Sequence, residues 1–229
     1  INEILSRDYP LFIELFISQF LPIIYKLSQL FQLDEDPQMF VADDWDIFNS
    51  AQSIIINLIM NKETSNYISE SILPIIQEGL QSEDIFFLSV SMNFLSYIIR
   101  YVEKEFVDSF IPIELVLNSI SKTINSNFCR VRSYCIQLLL YSYNFYGLSI
   151  ALPFFDNLFQ SIFDCDSIAL DAISLLVYIG RDIDFSFQEQ LFTRICEILC
   201  FNDGQQFFNQ SSTFAKIINI LLFPKTHEH

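Results

Sequence analysis

Glycine, histidine and tryptophan are scarce in this chain: four, two and one respectively among 229 residues. The four glycines are scattered, so there is no glycine-rich loop of the kind that cradles phosphates. Both histidines, His227 and His229, lie in the carboxy-terminal tail, so no nucleophile in the body of the chain has an imidazole base beside it in sequence. Basic charge is short as well, with 12 Lys and Arg against 28 Asp and Glu and a net of −16. A field of that sign repels nucleic acid and anionic membrane and steers basic partners inward, and it also keeps an apolar chain soluble. The five cysteines (Cys129, Cys135, Cys165, Cys196 and Cys200) include no C-x-x-C pair. Cys196 and Cys200 stand four apart without other metal ligands nearby, which points to buried thiols in a reducing, intracellular compartment, cytoplasmic or nuclear. Carboxylate pairs such as Glu83-Asp84, Asp164-Asp166 and Asp182-Asp184 fall in predicted turns and helix starts, where acids cap. The twelve-residue calcium loop with its glycine is missing. These gaps predict a non-enzymatic protein that needs no cofactor and no metal.

What the chain has in excess is apolar surface: 52% hydrophobic residues, with 25 Phe. That is ample material for a core and excludes a disordered chain. Glu3, Asp8 and Glu14 interrupt the amino-terminal apolar stretch, so no signal peptide is expected, and a start at Ile1 rather than Met suggests a piece of a longer protein. Residues 133–155 carry no charge over a bilayer-spanning length, but Gln137, Ser142, Asn144, Gly147, Ser149 and Pro153 make an interhelical turn the better reading. In order, the chain predicts a helical pair over 1–33, an acidic loop over 34–46, and a helix over 46–61. A segment at 65–81 follows, with a short helix opened at Pro74, then an acidic turn at Ser82-Glu83-Asp84 and a long helix over 84–102. Next come a short helix over 103–110, one opened at Pro112, one over 127–143, a turn at Gly147 and a helix opened at Pro153. The helix over 166–180 is expected to end at Gly180 as its cap, and a last pair occupies 186–201 and 207–223.

Proline beside an apolar pair recurs at 74, 112 and 153, and a small residue recurs on the following long helix at Ala51, Ser91, Cys135 and Ala172. A period of about 40 residues with helices alone predicts an α-solenoid, each unit burying its apolar face on the next. The stretch ESILPIIQEGLQSEDIFFLSVSMNFLSYII resembles an armadillo repeat, and SNFCRVRSYCIQLLLYSY resembles the HEAT pattern, although Arg132 lacks counterparts at Phe48, Leu88 and Ala169. The resemblance implies an all-α fold, a right-handed α-solenoid of armadillo/HEAT-like helical repeats. A single solenoid would fill 1–229, with about four repeats over 46–223 and a tail at 224–229.

Armadillo families that bind extended peptides line a concave groove with a Trp and, four residues later, an Asn. The corresponding places here hold Ser53, Asn93, Gln137 and Ser174, followed by Asn57, Tyr97, Tyr141 and Tyr178. Only Asn57 keeps the family residue, which argues against a receptor for basic nuclear localisation signals. What remains is a polar–tyrosine row, extended one turn by Tyr101, and tyrosine's flat apolar ring with a hydroxyl suits recognition of an extended chain. Asn57, Asn93, Tyr97, Tyr101, Gln137, Tyr141 and Tyr178 are therefore the candidate surface for a peptide or partner helix, itself basic if the acidic turns set the choice. The competing reading makes these tyrosines core-edge residues with their hydroxyls in water. Arg100 and Arg181 fall at equivalent helix ends, where positive charge opposes the macrodipole or grips an anion. The stack ends, 1–33 and 205–223, are expected to meet a second copy or neighbouring domains. The function so predicted is a protein-binding scaffold or adaptor. The alternatives are a nuclear transport or cargo-carrier segment, or a purely structural segment of a larger assembly.

Overall fold

A computed structural model describes the protein at residues 57, 65–161, 166–182 and 193. The chain divides into two compact units, Ile1–Tyr141 and Ser142–His229. The described residues are helical with short turns between, and no strand occurs among them. The expected helices over 1–33, 186–201 and 207–223, the acidic loop over 34–46 and the tail lie outside the described residues, as does the 46–61 helix apart from Asn57.

In the first unit, α1 (Ser65–Leu80) and α2 (Ile85–Tyr101) pack along each other. The turn between them is built as its sequence implies. Ser82 Oγ accepts from the Asp84 N–H at 3.0 Å, and the Asp84 carboxylate accepts from the Phe86 N–H at 2.9 Å, capping α2. At the far end Val102 turns extended and its N–H donates to the Ile98 carbonyl, which closes the helix. Then come α3 (Lys104–Phe110), α4 (Ile113–Thr123) and α5 (Cys129–Tyr146), and the boundary between the units falls within α5.

One expectation is corrected at α1. Pro74 does not open a helix; it lies inside α1, which runs unbroken from Ser65 to Leu80. An interior proline removes one backbone hydrogen bond and crowds the preceding turn, at a cost of about 3 kcal/mol. Here Ile72 and Leu73 before it, and Ile76 and Leu80 after it, are all buried, while Pro74 itself faces outward. Burial on both sides holds the helix through the defect, as packing rather than propensity usually decides. This stretch is thus a two-helix unit, whereas α3, α4 and α5 follow one another as helices of increasing length.

The helix α4 sits against both α1 and α2. Ser119 Oγ donates to the Leu80 carbonyl at the end of α1, 39 residues away and 3.2 Å distant, and also to Leu115 within α4 at 2.8 Å. Lys122 reaches Glu83 across the same interval of 39 residues, at 2.7 Å. The Phe86 and Phe128 rings meet at 6.0 Å. Each pair joins residues about one repeat apart. The small residues expected at close helix contacts are buried where described: Ser91, Cys135 and Ala172 are each 0% exposed. Burial pushes the Cys135 thiol up to about 12, against a smaller opposing effect of the Thr123 hydroxyl, so it stays protonated and neutral at ordinary pH.

In the second unit Gly147 takes φ +57°, and a side chain there would meet no atom within 4 Å. Glycine is therefore needed for the left-handed backbone and not for space. It breaks the uncharged stretch between α5 and α6 (Leu148–Ala151), and no described helix is long and apolar enough to cross a membrane. A 3₁₀ turn, Leu152–Phe154, carries Pro153 into α7 (Phe155–Ser161), and α6 and α7 pack on α8 (Asp166–Asp182). A second expectation is corrected here. Gly180 does not cap α8; it is buried inside a helix that continues to Asp182. Its backbone is not left-handed, so it lacks the conformation that makes glycine a helix terminator.

Candidate functional site

Two of the expected residues, Tyr97 and Tyr101, lie on the last turns of α2. Tyr97 is half-buried, Arg100 is exposed, and Tyr101 at the helix end is 39% exposed. Tyr141 of α5, half-buried, approaches this end. The Arg100 guanidinium carbon stands 4.7 Å from the centre of the Tyr141 ring and 5.6 Å from that of Tyr101. A cation at such a distance is drawn to the ring's negative face, a contact worth about 0.5–1 kcal/mol at an exposed site. Arg100 also occupies the last turn of α2, where the unpaired carbonyls favour positive charge. The helix-end role expected of it holds, and the structure adds two tyrosine contacts to it.

Asn93 does not belong to this surface. It is 0% exposed, and neither its Nδ2 nor its Oδ1 has a hydrogen-bond partner. The physical reason is that α2 is buried on all sides from Leu88 to Ser96, so polar residues in that span go inside with their neighbours. Ser89, Ser91 and Ser96 satisfy themselves by donating to carbonyls of their own helix, at 2.6–2.9 Å. An asparagine amide has no such local outlet, and leaving it unpaired costs about 1–3 kcal/mol. The absence of any charge in IFFLSVSMNFL was the signal that could have placed Asn93 in the core.

The remaining candidates fall separately. Gln137 is half-buried on α5, Ser174 is half-buried on α8, and Asn57 is helical and exposed. Ser53 lies outside the described residues. In the second unit Tyr178 is 42% exposed and stacks on the buried Tyr143, with centroids 6.4 Å apart and planes 17° from parallel. Sequence reasoning passed over both Arg100, as a partner of the tyrosine row, and Tyr143, as the floor beneath Tyr178. Each contact joins residues about one repeat apart, an interval the repeat period does contain.

No family model matches the sequence, and no curated protein matches it. A solved structure describing how Kap95p binding induces the switch loops of RanGDP to adopt the GTP-bound conformation, with implications for nuclear import complex assembly, contains a similar chain. The two share 13% sequence identity and superpose with a TM-score of 0.58 over 94% of this chain and 31% of that one. The present chain thus spans about a third of the length of the chain it matches. At that identity the likeness is one of fold.

Proposed function

We propose that this chain is a non-enzymatic protein-binding scaffold or adaptor, a right-handed α-solenoid of armadillo/HEAT-like repeats working in the cytoplasm or nucleus. Support for the repeat arrangement comes from within the first unit. There α4 is joined to the last residue of α1 by Ser119–Leu80 and to the turn after it by Lys122–Glu83, both across 39 residues, as expected of equivalent helices one repeat apart. The observation that carries the functional reading is the cluster of Tyr101, Arg100 and Tyr141. Tyrosine and arginine are the residues most enriched where binding energy concentrates. An apolar ring left 39% exposed at a helix end offers area that a partner can cover.

The test is capture from lysate by the wild type and by a Tyr97→Ala/Tyr141→Ala variant. Proteins held by the first and lost by the second, with unchanged thermal midpoints, support a binding surface. A large fall in midpoint places the tyrosines in the core and removes it. A second reading, a nuclear transport or cargo-carrier segment, is favoured by the likeness to a chain from a structure concerned with nuclear import complex assembly. Salt separates both from a purely structural segment: a basic ligand on an acidic protein weakens at high ionic strength, whereas end-on apolar stacking does not.

A further inference from the structure

We propose that Arg100 is a specificity determinant of the binding surface: its guanidinium takes a single carboxylate from the docked segment of a protein partner. This rests on the protein-binding reading above and adds the chemistry of one position. The guanidinium's contacts are with rings, at 4.7 Å from Tyr141 and 5.6 Å from Tyr101. Neither contact is an ion pair, and the guanidinium's five N–H donors lie in one plane and match a carboxylate two at a time. Elsewhere in the first unit, Lys104 pairs with Asp108 and Lys122 with Glu83. Among the described residues no carboxylate stands within ion-pair distance of Arg100, although Glu103 follows three positions later. Among the described residues, then, this exposed cation in a chain of net charge −16 has in-plane donors that no carboxylate takes up.

The surroundings limit what that partner is. Glu103 and Glu105 are both exposed just beyond the end of α2, so a run of acids would be repelled on arrival. A segment with one carboxylate set among apolar and basic residues satisfies all three charges: the acid on Arg100, the bases toward Glu103 and Glu105, and apolar side chains on the tyrosine rings. The general preference for a basic partner and the local preference for an acid are thus compatible, one acting at long range and the other at contact.

The experiment uses the full 229-residue chain and three capped synthetic peptides, alike except at one position: one glutamate flanked by lysines and leucines, its glutamine counterpart, and a phosphoserine counterpart. Binding is followed by NMR at the Arg100 Nε–H and the Tyr141 ring. The glutamate peptide is expected to shift both signals and to bind about three- to fivefold more tightly than the glutamine peptide, the range of an exposed ion pair. Arg100→Gln should abolish that preference while the variant stays folded, its thermal midpoint lowered only by the few degrees that the lost ring and helix-end contacts account for. Arg100→Lys, which keeps charge but not the planar fork, should retain only part of it. Equal binding of the glutamate and glutamine peptides, no shift at Arg100, or at least tenfold tighter binding of the phosphoserine peptide each overturns the assignment. Binding that persists without a glutamate preference overturns the role of Arg100 and leaves the protein-binding reading standing. Failure of that reading shows differently, as retention of every captured protein by the Tyr97→Ala/Tyr141→Ala variant.

Discussion

Pro74 and Pro112 sit in the same local pattern, each beside apolar residues at the approach to a long helix, yet they occupy opposite places in their own helices. Pro112 stands at the amino-terminal cap of α4 with φ −61° and ψ 145°, where its carbonyl accepts from Leu115 and its missing N–H costs no intrahelical bond. Pro74 stands inside α1. The difference follows from the path of the chain just before each proline. Before Pro112 the buried Val107 and Ile111 belong to the end of α3, whose cap residue Ile111 is extended (φ −124°, ψ 98°), so the chain has already left the helical path when it reaches the proline. Within α1 buried residues flank the proline on both sides, and the helix is pinned at each arm. A proline marks a helix start where the residue before it is extended, and is carried inside a helix where buried side chains pin both arms.

The comparison can be broken most forcefully at Ile76, which is fully buried just after Pro74. Ile76→Ala should cost about 2–5 kcal/mol in denaturant unfolding, through lost burial and the cavity left behind. A cost under about 1 kcal/mol would mean that the apolar face does not hold α1 together across its defect. The prolines themselves come next, and here the sign decides. Pro74→Ala restores a helix donor and should stabilise the protein by about 1–2 kcal/mol, the propensity gain less the looser unfolded chain. Pro112→Ala should instead destabilise by about 0.5–1 kcal/mol, since that proline already fits its backbone and stiffens the unfolded state. Shifts of the same sign for both would show that the two sites are equivalent after all.

The same contrast explains which features were legible in the sequence. The Ser82–Asp84 turn, the break at Gly147 and the start of α4 after Pro112 depend on chemistry within a few residues, and local rules found them. The small residues at 91, 135 and 172 were found by period, because a repeat places equivalent contacts at equal intervals. Pro74, Gly180 and Asn93 were misplaced for one shared reason: each lies where surrounding packing overrides a local preference. Burial on all sides also erases the amphipathic pattern that would have revealed which face of α2 looks outward. The pairing of Arg100 with Tyr141 needed knowledge of which helix lies beside the end of α2, and the pattern within either helix alone does not carry that.

Smaller effects test how α1 and α4 are tied together. Ser119→Ala removes a buried hydroxyl that bonds both Leu115 and the Leu80 carbonyl at the end of α1. It should cost about 1 kcal/mol, and more if the Leu80 carbonyl then stays unpaired. Faster amide exchange in the last turn of α1 would locate the loss. An unchanged stability would mean that the two helices are held by their apolar faces alone.

The smallest effect is expected at Lys122, whose partner Glu83 keeps 89% of its side chain exposed, with 44% exposed at the lysine. Water and salt screen such a pair, so Lys122→Ala should cost no more than a few tenths of a kcal/mol. The wild type and the variant should also converge in thermal midpoint as ionic strength rises. The comparison with Ser119 gives this measurement its value, because one contact ties α4 to the last residue of α1 and the other ties it to the turn that follows, each over 39 residues. A Lys122 effect larger than that of Ser119 would assign the alignment of α1 and α4 to surface charge. The expected order assigns it to the buried hydroxyl and the side chains around it, with the ion pair following an alignment already set by packing.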